Sequence, residues 1–172
     1  MNHRTKLVYQ IKKIIQMQLD RALGYQKARS LACDDALKSL FEHYMQQSFY
    51  FADKLQAAME LQGITVKSNP SWTGAVYRTW MTIKVHLCSK KDKAAICASL
   101  TGERMINLSY ELLCANKYLP YYYPLLKFTF LKQFFSIKRT KEELESLLIR
   151  YGSELPQSSE IEISLRQSAP IQ

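Results

Sequence analysis

The sequence predicts an all-α protein of four long helices, the second and third joined by a long crossover that carries a short helix of its own. Three observations point there. Only 5 Gly and 5 Pro occur in 172 residues, too little punctuation for a turn-rich β architecture. Apolar residues recur at three- and four-residue intervals through long stretches, the period of a helix face. One gap between two such stretches, from Gly63 to Asp92, is far longer than neighbouring antiparallel helices need. With 47% apolar and 23% charged residues the composition is that of an ordinary globular chain, long enough to bury a real core without staples. The helical domain is expected over residues 1–151, and a polar, mostly disordered tail over 152–172.

The first helix runs from about Thr5 to Ser30, with Val8, Ile11, Ile15, Gln18, Ala22 and Tyr25 on one face. Asp34 and Asp35 supply N-cap chemistry for a second helix, whose face is Leu37, Phe41, Tyr44, Ser48, Phe51, Leu55 and Ala58. Gly63 is placed to end it. The short gap between these two helices makes them antiparallel neighbours.

A helix of about 25 residues is roughly 38 Å long. The stretch from Gly63 to Asp92 holds Asn69-Pro70-Ser71 and then an amphipathic piece, about Gly74 to Leu87, with Val76, Trp80, Ile83 and Leu87. It is long enough to travel back along the other helices, which sets the second and third helices parallel and buries Trp80. Ser89 and Asp92 offer caps for the third helix, whose inward face is Ile96, Leu100, Glu103, Asn107, Tyr110 and Cys114. Pro120 suits the first turn of a fourth helix that holds Pro124 in the same opening turn and continues to about Tyr151.

Gly74-Ala75-Val76-Tyr77-Arg78-Thr79-Trp80, the turn Lys91-Asp92-Lys93-Ala94, the pair Gly102-Glu103 followed by Tyr110, and Leu119-Pro120 together resemble a bacterial ferritin-like four-helix-bundle family of unknown function. The resemblance spans about residues 5–148. It implies a ferritin-like fold and no established activity. Tyr77 stands where that family carries His, and Ala22 where relatives often carry an acid.

A ferritin-like di-iron centre takes one carboxylate from each of two helices and Glu-x-x-His from each of the other two. No Glu-x-x-His occurs; His3, His43 and His86 are the only histidines. The expectation is therefore a lost di-iron site, with no cofactor and no catalytic residue. Glu103 lies on an apolar stripe and is the weak metal candidate, with Asp20 or Glu42 as companions. The plainer reading is an acid satisfied by hydrogen bonds or by Arg104 or Lys84, or simply half exposed. Without metal, Glu103→Gln is expected to be neutral or mildly stabilising because it removes the desolvation cost of a buried charge, a large loss instead meaning an ionised, paired carboxylate.

No phosphate loop or nucleophile elbow is present, so an enzyme is not expected. Cys33, Cys88, Cys97 and Cys114 are scattered without a CxxC pair, which argues against zinc and, with no export signal or membrane span, for a cytoplasmic protein with reduced thiols. The net charge of +9 suits anionic partners. Lys84, Lys90, Lys91, Lys93 and Arg104, with Lys138, Arg139 and Lys141, are interrupted by Asp92, Glu142 and Glu143, which favours a solvated face over nucleic-acid binding. Tyr121, Tyr122, Tyr123, Phe128, Phe130, Phe134 and Phe135 cover more than one helical face. A helix of that kind is expected to meet a second surface, as a homodimer or in the groove of a protein partner. The function expected is association with itself or a partner. A metal-binding or oxidative-stress protein and a basic nucleic-acid or anionic-surface binder are the alternatives.

Overall fold

The structure, a computed structural model, describes residues 2–66 and 88–151. The crossover helix expected within 74–87, the burial of Trp80 and the tail at 152–172 lie outside the described residues. Five helices are described: α1 (His3–Leu31), α2 (Asp35–Glu60), α3 (Cys88–Cys114), α4 (Tyr118–Tyr122) and α5 (Pro124–Arg150). All regular structure among the described residues is helical, so the protein is all-α.

Local chemistry fixes the helix ends. The Asn2 side chain accepts the Thr5 N–H at 2.8 Å and opens α1. Asp34 accepts from the N–H groups of Ala36 and Leu37 at 2.7 and 3.1 Å, which caps α2 and holds the Asp34 carboxyl below its ordinary range. Gly63, at φ +70°, takes the left-handed conformation that folds the chain back after α2, while the Ile64 N–H reaches the Met59 carbonyl at 3.0 Å.

Pro120 and Pro124 do not share one opening turn. A proline pushes the residue before it out of the α region, and Tyr123 sits at φ −141°, ψ 65°. The expected fourth helix is therefore divided into α4 and α5, with Pro124 in the first turn of α5. Asp92, expected to cap α3, lies within that helix and accepts the Cys33 N–H at 2.6 Å. It thereby ties α3 to the corner between α1 and α2.

The core partners give the helix directions. Leu7, Ile11 and Ile15 from the first half of α1 pack in one cluster with Leu55 and Met59 near the end of α2, Tyr110 and Leu113 near the end of α3, and Leu126 and Phe130 near the start of α5. A second cluster joins Tyr25 and Ala28, Leu37 and Phe41, Ile96 and Leu100, and Leu144 and Leu148, the opposite halves of the same four helices. Hence α1 and α5 run one way, and α2 and α3 run the other. α2 ends at the end of the molecule opposite to the one where α3 begins. α1 packs on both α2 and α3, and α5 packs on α3. Gln18, Leu19, Asp20, Arg21 and Ala22 are all buried, so the middle of α1 is enclosed on every side.

Candidate functional site

Between the two apolar clusters lies a polar layer at mid-height. Its centre is Arg21 of α1, whose Nε donates to Glu103 Oε1 of α3 at 2.5 Å, with side chains 5% and 0% exposed. The same Glu103 oxygen accepts the Tyr25 hydroxyl at 2.6 Å. Arg21 Nη1 donates to Ser48 Oγ at 2.8 Å, and both terminal guanidinium nitrogens reach Gln47 Oε1 on α2. Gln47 in turn donates to Ser136 of α5 at 3.2 Å. One charge pair and its hydrogen bonds thus touch all four long helices.

The electrostatics follow from this closure. Burial is the largest influence on the Arg21 cation and disfavours it, but the charge and hydrogen bond of Glu103 together with the nearby Tyr25 and Tyr110 phenols outweigh that cost and raise its pKa. Burial and the adjacent Glu103 charge push the Tyr25 phenol well up, keeping it a neutral donor. Tyr44 is likewise pushed up by burial and by its bond to Glu143. Glu103 Oε2 is buried with no hydrogen-bond partner, leaving one acceptor of the layer unfilled.

A second chain of bonds runs beside the first. Gln18 Nε2 donates to the Tyr110 hydroxyl at 2.7 Å, Tyr110 donates to Gln133 Oε1 at 2.6 Å, and Gln133 Nε2 donates to the Phe51 carbonyl at 3.2 Å. Asn107 donates to the Glu103 carbonyl within α3 at 2.9 Å. These neutral side chains bond through Tyr110 and to backbone carbonyls and not to the Glu103 carboxylate, and Gln18 Oε1 is buried with no hydrogen-bond partner.

The sequence reading missed the partner of Glu103. Arg104, expected in that role, stands 3.6 Å from Glu145 instead, and Lys84 lies outside the described residues. Arg21 was legible in one respect, since it falls three positions after Gln18 and four before Tyr25, the spacing of a shared face.

The three metal candidates are not assembled. Asp20 is buried, accepts from Gln16 Nε2 at 3.1 Å, and lines with Glu103 a cavity of about 600 Å³ between α1 and α3. Met17, Ala98, Met105 and Ile106 supply apolar wall. Glu42 is absent from that lining and pairs with Arg29 at 3.0 Å on a part-exposed face. His3 stacks on Tyr118, His43 is exposed, and His86 lies outside the described residues. Among the described residues no three His, Cys, Asp or Glu side chains gather to hold a metal ion.

No curated protein matches the chain. A family profile does match it over residues 6–114 of 172, a span that takes in α1, α2 and α3 with their charge pair and leaves α4 and α5 outside. The chain belongs to the family described as Domain of unknown function (DUF2383).

Proposed function

We propose that this protein is a non-enzymatic, ferritin-like four-helix bundle that acts by association, presenting an apolar stripe on α4 and α5 to a partner or to a second copy of itself. The observation that carries this reading is the exposure of that stripe: Tyr121 77%, Leu125 78%, Phe128 66% and Phe135 63%. At about 100° per residue, Leu125, Phe128 and Phe135 fall within an arc of about 80°, so they form one face. Tyr123 and Phe130, which point the other way, are 3% and 0% exposed and fill the core.

The ferritin-like assignment is supported by the helix directions, with α2 parallel to α3, as in bundles with one long crossover. The donor set at mid-height does not fit a di-iron centre. Its acid is held by a guanidinium, and Gln18, Ser48, Tyr110 and Gln133 are neutral. A fixed cation beside the carboxylate repels a metal ion that would compete for it.

The common cavity of Asp20 and Glu103 favours a second reading, a metal site with a reduced ligand set. Elemental analysis of protein purified without chelator separates the two, since the first reading expects well under one metal ion per chain. Light scattering over a concentration series tests association directly. A mass that rises with concentration in the natural chain, and not in Phe128→Ser/Phe135→Ser, supports it. A constant single-chain mass, together with unchanged binding of that variant to the surface identified below, sinks it.

A further inference from the structure

The stripe on α4 and α5 lies in an unusual electrostatic setting. From Leu112 to Lys141 the chain contains no Asp or Glu, while Lys117, Lys127, Lys132, Lys138, Arg139 and Lys141 fall within it. None of these six takes part in the ion pairs among the described residues, which join Arg21 to Glu103, Arg29 to Glu42, Lys38 to Asp35 and Arg104 to Glu145. Lys132 and Arg139 are exposed and fall in the same arc as Phe128 and Phe135. The basic run stops at Glu142 and Glu143, so the face is confined to α4 and the first two thirds of α5.

Resting on the association reading above, we propose that the partner of this face is an anionic lipid surface, to which the protein docks peripherally. Two features select a bilayer over nucleic acid. The apolar members include Leu125 as well as Phe, and aliphatic side chains enter the acyl boundary but do not stack on bases. Leu125, Phe128 and Phe135 also lie on the outward side of α5, a convex surface suited to a plane and not a channel that encloses a strand. Lysine and arginine flanking exposed Leu and Phe is the arrangement by which amphipathic helices hold to anionic headgroups. No described helix is long and apolar enough to cross a membrane, so the contact is with one surface.

The test is flotation of the full chain with vesicles of phosphatidylcholine alone and of phosphatidylcholine with phosphatidylglycerol, at low and high salt. Binding to the anionic vesicles only, weakened by salt, is the expected result. Lys132→Glu/Arg139→Glu and, separately, Phe128→Ser/Phe135→Ser should each weaken it about tenfold or more. Circular dichroism checks that the helices are intact, and these exposed positions leave the core untouched. Equal binding to both vesicle types, no binding to either, or retention on duplex DNA at a salt concentration that abolishes vesicle binding overturns the lipid assignment. If vesicles are not bound but light scattering shows a dimer lost in Phe128→Ser/Phe135→Ser, the association reading stands and the lipid partner falls. If both measurements are negative, both fall.

Discussion

Arg21 and Glu103 meet across α1 and α3 at 2.5 Å, the buried ion pair among the described residues, with nearly no water on either side chain. Each ion is tolerated there only because the other is present. Removing one partner leaves an uncompensated charge. Glu103→Gln is therefore expected to destabilise the protein by about 3–5 kcal/mol, the usual cost of breaking a buried pair. That reverses the neutral outcome that the acid alone suggested from sequence. Glu103→Leu and Arg21→Met should each cost a similar amount or more, while the two combined should recover most of the loss. Urea unfolding of the four variants measures this, and losses of Glu103→Leu and Arg21→Met that add in the double variant would contradict it.

Alkaline pH should unfold the protein through its buried phenols. The pKa values of Tyr25, Tyr44 and Tyr110 are raised from an ordinary 10.0, in each case first by burial. A group whose folded pKa is raised binds its proton more tightly when folded. Its contribution is whole below about pH 10 and lost progressively as pH rises above it. Phenolate absorbance should then show the exposed tyrosines ionising first, and the buried set only together with loss of helix. Ionisation of all tyrosines in one step, with helicity intact, would refute this.

Asp92 joins α3 to the corner between α1 and α2 through the Cys33 N–H, at 2.6 Å. Asp92→Ala strands that donor and is expected to cost about 1–3 kcal/mol, whereas Asp92→Asn keeps an acceptor and should cost less. Thermal melts of the two variants, ranked in the opposite order, would rule the bond out as the reason.

Helix positions and inward stripes were legible in the sequence because both follow from spacing. Leu37, Phe41, Tyr44 and Ser48 are buried as their period requires. The α1–α2 cap was legible too, since Asp34 acts within its own turn. The partner of Glu103 was not. Periodicity says which way a side chain points but not which residue on another helix it faces, and Arg21 sits 82 positions away. The division at Tyr123 was missed because two prolines close together were read as a single opening turn. The conformational demand of Pro124 on its predecessor outweighs helix continuity.

Neighbouring phenylalanines of α5 should answer to mutation in opposite ways. Phe130 is 0% exposed, packs edge-on to Tyr110 with ring centroids 5.7 Å apart, and belongs to the cluster that binds all four long helices. Phe130→Ala removes a large core side chain and is expected to cost about 3–5 kcal/mol. Phe128 and Phe135, at 66% and 63% exposed, give up little buried area when truncated, so Phe128→Ser and Phe135→Ser should each shift stability by no more than about 0.5 kcal/mol. Residues that hold no part of the fold, yet keep large aromatic rings in water, have the profile of a contact surface. Urea denaturation of the three variants settles the contrast. A loss at Phe128 or Phe135 comparable to that at Phe130 would mean that the stripe serves the fold, and the association reading would lose its surface.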